Sequence, residues 1–360
     1  MQLNTEPKGV AAARLVIAIG SARGSLGASS RDIARRRWPG SPSLHEAIER
    51  KAAVSAMTPG SAGAGQEFIS TELARDFIEA IRPFSVIDRL TAARRVPFVF
   101  PVPGESAAGF GGGWFGEGSA VPAGTTTSTN FTLPRTTAGV ILVRSGELKD
   151  LTTPAHEIAL RDAMTRATWA YLNQQFLDPS VTKVDNVTPA SITSGATEVT
   201  STGATGAAIK ADFRNMLDAA NSDLTSPIWI MRRRDAIYLA GLEGADGGLL
   251  FPNAPREILG IPTLLTSAVP ATAGSPAEDR YVVLLDQESV LLADNGRLNV
   301  SVSTRATMEM RYDPQANSKT GNSTSVVSLF QTSSYAVKVV REIGWLRAHD
   351  AGVVFMQVSW

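Results

Sequence analysis

Apolar positions along the chain recur with helical spacing in some stretches and with strand-like density in others. From Ser70 to Arg82, Leu73, Phe77, Ile78 and Ile81 share one face. This predicts a helix that stops before Pro83, because proline disfavours helical geometry at the residue preceding it. The longest helical pattern opens at Thr153-Pro154 and runs to about Asp178. In it Leu160, Met164, Ala167 and Tyr171 make one stripe, with Trp169, Leu172 and Phe176 beside it. About 24 residues at 1.5 Å each give a rod of roughly 36 Å. Shorter helices are predicted over Ala208–Ala220, Arg232–Leu242 and Ser43–Met57; in the last, Ser43 and Glu46 have capping-box spacing.

The strand signals are distributed differently. Arg94–Pro103 is rich in Val and Phe but broken by prolines, the mark of an edge strand or a projecting arm. TTTSTNFTL, residues 125–133, has the β-branched composition of a strand. Between them lies GFGGGWFGEGSAVPAG, Gly109 to Gly124, so the two strands predict an extended hairpin with a long glycine-rich tip. Such a hairpin has too little surface to form its own core. Gly139–Ser145 predicts a buried strand, and further strands are predicted at Pro227–Met231, Pro262–Thr266, Tyr281–Leu285, Ser289–Ala293 and Arg297–Ser303. Ser325–Ile343 forms a long one, and Val353–Val358 closes the series. The polar stretch Thr188–Gly206 predicts no element, and the alternation after it implies a mixed α/β layer.

At the other end, Val10–Ala22 reads as a short strand followed by a basic loop. A secretory core or an organelle transit peptide is the competing reading, but Arg14 interrupts the apolar run. Thr58–Gln66 looks like a flexible boundary.

Composition narrows the chemistry. The 360 residues suggest two or three structural units, and 43% hydrophobic with 19% charged residues describes a folded chain. With no cysteine there is no disulfide framework or thiol nucleophile, and His45, His156 and His349 show no metal-ligand spacing. No apolar run is long enough to predict a membrane span. The 34 basic and 34 acidic side chains cancel, which argues against a dedicated DNA-binding domain. The cancellation is between segments. Residues 1–62 carry nine basic and four acidic side chains, leaving 25 against 30 in the remainder.

No motif supplies a reaction. Gly111–Gly116 formally fits GxGxxG, but Pro101 and Pro103 precede it and a Thr run follows, where a dinucleotide site needs a buried strand and a helix. Gly104–Ala108 misses the nucleophile elbow at its last residue, and His156-Glu157 lacks the second histidine of a zinc-protease helix. Arg232-Arg233-Arg234 reads as a solvated face or an inter-subunit charge site. No cofactor, metal site or catalytic constellation is predicted.

The order of segments is similar to that of the Hong Kong 97-type major capsid proteins of tailed bacteriophages. Glu72–Val96 resembles the N-terminal arm leading into the hairpin called the E-loop. Val143–Asp178 resembles the strand-to-spine-helix passage, and Gly247–Ala271 the glycine-then-"LLG-P" passage. Tyr281–Ser303 and Ser328–Val358 resemble the closing strands.

The resemblance implies a mixed α+β capsid fold. Its parts would be a basic N-terminal segment (1–62, scaffold-like or a retained arm), an N-arm (63–93) and the E-loop hairpin (94–135). A peripheral domain with a long spine helix would take 136–186 and 301–347, and an α/β axial domain 187–300 and 348–360. It implies no enzyme but a subunit that assembles with itself into the hexamers and pentamers of an icosahedral shell. That shell would enclose double-stranded DNA without reading its sequence. Portal, scaffold or protease and decoration proteins are implied partners, with assembly in the bacterial host cytoplasm and residence in the virion. An encapsulin-type compartment and a nucleotide-binding α/β enzyme are the alternatives.

For the hairpin tip, ordering the glycine-rich chain costs more than burial of Phe110, Trp114 and Phe115 returns, so neighbouring subunits must order it. Phe110, Trp114, Phe115 and Glu117 are the expected contacts there. Arg311, Asp313 and Lys319, in the polar loop Arg305–Asn322, are expected to form ion pairs where peripheral domains meet at threefold positions. Some family members crosslink through a lysine at the tip. This chain has no lysine between Lys51 and Lys149, so a non-covalent shell is expected.

Overall fold

The structure, a computed structural model, describes residues 7–24, 29–54, 71–105, 114, 128–147, 153–220, 224–244, 247–267, 269, 271–272, 279–309, 326–358 and 360. Its helices are α1 (Val10–Gly24), α2 (Ser30–Arg37), α3 (Pro42–Val54), α4 (Thr71–Ile81), α5 (Val86–Arg89), α6 (Pro154–Leu177), α7 (Gly206–Ala219) and α8 (Arg233–Ala240). The first strands are β1 (Arg94–Arg95), β2 (Pro101–Glu105), β3 (Ser128–Thr132), β4 (Thr137–Ser145), β5 (Thr197–Thr200), β6 (Pro227–Met231), β7 (Glu257–Ile258) and β8 (Ile261–Leu265). Then come β9 (Ala271–Thr272), β10 (Asp279–Asp286), β11 (Val290–Ser303), β12 (Thr307–Glu309), β13 (Val326–Ser328), β14 (Ser334–Arg347) and β15 (Val353–Val358).

Two compact units divide the chain. The first is Met1–Arg89, Ala138–Leu172 and Gly296–Glu342, and the second Leu90–Thr137, Asn173–Asn295 and Ile343–Trp360.

In the first unit, helices α1 to α4 and the early turns of α6 pack on strands in the order β11-β14-β4. The core contains Leu15, Val16 and Ile19 of α1, Phe77 and Ile81 of α4, Leu160 and Met164 of α6, and Val300, Tyr335 and Val337 of the sheet. The strand expected over Val10–Ala22 is therefore a helix. Short apolar runs do not separate the two states by periodicity, and α1 is buried on nearly every side, so no polar face marks its turn. Its alanines and leucine are helix formers.

The expected basic loop likewise contains α2, whose N-cap Ser29 accepts a hydrogen bond from the Asp32 N–H. In α3 the first helical bond runs from the His45 N–H to the Ser41 carbonyl. Ser41 is thus the cap, in place of Ser43, and Pro42 fills the first turn, where its missing N–H costs nothing.

Other expectations need adjustment. β4 is not buried: it is the outer strand of its sheet, none of its residues is fully buried, and Ile141 is 53% exposed. Tyr171 leaves the expected stripe of α6 for the surface, while Leu172 and Phe176 are buried. The expected strand at Arg94–Pro103 is split into β1 and β2 around Val99, whose φ is 63°. The two strands expected over Ser289–Ser303 are one, β11, running through Asp294-Asn295-Gly296 with Gly296 at φ 65°. Conversely Ser325–Ile343 is split into β13 and β14 by a turn that ends at Ser333, φ 46°.

The second unit holds a seven-stranded sheet, order β5-β15-β10-β6-β8-β7, with β9 added to β10. β10 is antiparallel to both neighbours (Val283 opposite Phe355 and Ile230), whereas β6 and β8 are parallel (Ile230 opposite Leu264). Helix α7 packs Phe213 edge-on against Trp229 of β6 at 4.9 Å between centroids. The Trp229 indole N–H donates to the Ile258 carbonyl at 3.0 Å. Strand β5, in the stretch with no predicted element, is held by its neighbours: just beyond it, Ser201 and Thr202 donate to the buried Asp212 carboxylate of α7.

Candidate assembly interface

The hairpin forms as its sequence predicts. β2 and β3 pair antiparallel from Pro101 opposite Thr132 to Glu105 opposite Ser128, and they make a two-stranded sheet of their own. Pro101 and Pro103 alternate, so both fall on the edge of β2 that faces away from β3, where a missing N–H breaks no ladder bond. At the hairpin's root, Val102 and Leu133 are buried with Val96, Leu291 and Ala293 in a small apolar cluster. The root is thus anchored. At the tip, Trp114 is wholly exposed, at 105%. Phe110, Phe115 and Glu117 lie outside the described residues, as does most of the tip.

The polar loop begins and ends in the short hairpin β12–β13, with Thr307 opposite Ser328 and Glu309 opposite Val326. Arg311, Asp313 and Lys319 lie outside the described residues. Of the arginine triplet, Arg232 donates twice to the Val269 carbonyl (3.0 and 2.8 Å), and Arg233 and Arg234 are exposed.

A feature with no sequence signal fastens the N-terminal helices. The buried Glu157 carboxylate, in the first turn of α6, accepts from Arg14 Nε at 2.7 Å and from Trp38 Nε1 at 2.6 Å. The Arg14 guanidinium also lies 6.0 Å from the centre of the Trp38 ring, a cation–π distance. A carboxylate near a helix N-terminus is further favoured by the helix dipole. The three residues are far apart in sequence, so only folding brings them together. Beside them His156 is buried, and burial and the Arg144 charge hold its imidazole below the ordinary range. At the surface of the same unit Phe84 and Trp169 stack at 6.0 Å. Among the described residues no three acidic or histidine side chains are placed to hold a metal ion, and no helix is long and apolar enough to cross a membrane.

A long helix packed on a sheet, a projecting hairpin and a separate α/β layer define the Hong Kong 97-type capsid fold. Two solved structures carry the same fold. A chain from Gordonia phage Cozz superposes with a TM-score of 0.54 at 16% identity, over 77% of this chain and 87% of that one. One from Mycobacterium phage Bobi gives 0.52 at 15%, over 76% and 90%. Residues 65–342 match the phage capsid family, and the chain belongs to that family.

A capsid polyprotein of Pseudomonas phage PAJU2 is 30% identical over 346 residues, 91% of this chain and 51% of that protein. A major capsid protein of Klebsiella oxytoca phage phiKO2 is 27% identical over 133 residues, 37% of this chain and 27% of that protein. The chain thus spans about half the length of the first relative and a smaller part of the second.

Proposed function

We propose that the chain is the repeating subunit of a phage head shell, built by self-association into hexamers and pentamers around double-stranded DNA. Membership of the phage capsid family over residues 65–342 is the observation that carries this reading. It is supported by the exposed indole of Trp114, in the stretch that joins β2 to β3. Scaffold or protease, portal and decoration proteins are its expected partners, and the host cytoplasm the place of assembly. Electron microscopy of the purified protein tests the proposal: closed shells are expected, and a stable monomer or dimer under all conditions would overturn it.

Two details follow. The shell is joined without covalent crosslinks, since the tip offers no lysine; boiled particles give one monomer band, and a ladder contradicts this. The helices within residues 1–62 stay in the mature particle, because Leu15, Val16 and Ile19 are part of the core of the first unit and their removal would open it. Mass spectrometry of mature particles decides this, a subunit lighter by that segment being the contrary result. At the threefold contacts Arg311, Asp313 and Lys319 form ion pairs. Asp313→Lys therefore lowers particle yield while leaving the subunit folded, and unchanged yield would count against the assignment.

A further inference from the structure

The root of the hairpin carries a groove that its own chain leaves open. It has a volume of about 250 Å³ and is bounded by the end of β3, the loop after α6 and the end of β14. Its walls are largely carbon, from Leu133, Pro134, Val184, Pro189, Ala190 and Leu346. They are held firmly. Trp345 Nε1 donates to the Ala190 carbonyl at 2.8 Å, and its ring meets Phe176 edge-on at 5.3 Å. Arg347 donates to the carbonyls of Ile192, Ser194 and Gly195, fixing the backbone beyond. On the same loop Val184 and Val187 are 52% and 62% exposed, so the apolar surface continues outside the groove.

The hairpin supplies the opposite feature. Trp114 exposes its whole side chain, a large apolar surface whose burial favours association. It stands nine residues beyond Glu105, the last paired residue of β2, a span of at most ~30 Å of extended chain. A groove of this size, lined mostly by carbon with polar groups at its margin, suits an aromatic ring that carries one N–H donor. The groove and the ring are not joined within one subunit, where the ring is bare.

Resting on the reading of the chain as a shell subunit, we propose that Trp114 of one copy seats in the groove at the hairpin root of the next. The contact is head-to-tail. Each copy gives a tip and receives one, which closes a ring wherever the rotation between copies permits.

The absence of cysteine makes the test clean. In particles of the double variant Gly113→Cys/Thr188→Cys, which keeps the Trp114 indole, mild oxidation is expected to yield a ladder of disulfide-linked oligomers that neither single variant gives. Shells that form without a ladder overturn the groove assignment and leave the shell reading standing. If the double variant yields no shells, the single variant Thr188→Cys, which keeps the indole, is read by maleimide labelling. Labelling about tenfold or more slower in particles than in dissociated subunits supports the seat. Equal rates overturn it. Wild-type protein that forms no shells is a different failure, that of the shell reading itself.

Discussion

Arg341 of β14 donates two parallel hydrogen bonds to Asp88 of α5, at 3.0 and 2.8 Å, and the two side chains are only 1% and 6% exposed. The fork is a bidentate guanidinium–carboxylate pair in a dry setting. The Asp88 N–H in turn donates to Ser85 Oγ, which steadies the short helix that presents the carboxylate. Removing one partner leaves the other's buried charge less well compensated. Asp88→Asn is expected to cost roughly 3 kcal/mol or more in urea unfolding of the unassembled subunit, while Asp88→Leu/Arg341→Met recovers most of that loss. A double variant no more stable than the single would contradict the argument.

The fastening at Glu157 makes a second prediction. Trp38→Phe keeps the ring but removes the N–H, leaving one carboxylate oxygen without its donor, and is expected to destabilise the first unit by about 1–2 kcal/mol. Glu157→Gln, which also removes the charge of the Arg14–Glu157 ion pair, is expected to cost more. Limited proteolysis should then release the N-terminal helices before the rest of the chain is cut. Uniform resistance in all three proteins would mean the helices are held by apolar packing alone.

His156 gives the fold a pH dependence. Its folded-state pKa is depressed, by burial first and by the Arg144 charge second, with Glu157 opposing. The unfolded chain, with an ordinary value of about 6.5, therefore binds the proton more readily than the folded one. Stability contributed by the neutral ring is present above about pH 6.5 and declines as pH falls through that value. Denaturation midpoints of the subunit between pH 7.5 and 5 should fall more steeply for the parent than for His156→Gln. Parallel profiles would remove His156 from the account.

Leu259 and Gly260 link β7 to β8 with φ of 52° and 81°, the signs a two-residue hairpin of the mirror-image type requires. Glycine takes this conformation freely, but a leucine is strained there by ~1 kcal/mol. Leu259→Asn is expected to raise stability by about that amount, as the asparagine tolerates the left-handed region. A lower melting temperature would show that the leucine's contacts outweigh its strain.

Helices α4 and α6, strands β6 and β15 and the base of the hairpin were legible in the residues. Each has a clear apolar period, a dense apolar run or a boundary set by proline, and those signals are local. The ordered segments also carried the family resemblance. What failed was local too. Asp294-Asn295-Gly296 has turn composition but lies within β11, because the paired strands on either side outweigh the preference of three residues. α1 resembled a strand because a helix buried on nearly all sides displays no amphipathic stripe.

The sequence by itself determined part of the inventory: helices α4 and α6, two strands joined through a glycine-rich stretch and no thiol, with charge split between a basic segment and an acidic remainder. Tertiary structure alone decided which of these meet. Glu157 receives Arg14 and Trp38 from more than a hundred residues away, Arg341 finds Asp88, and the root of the hairpin shapes a groove from three distant stretches of chain. The reason is physical. Periodicity and capping are properties of neighbours along the chain, whereas a buried charge pair or a groove exists only where packing removes water from groups the chain itself keeps apart.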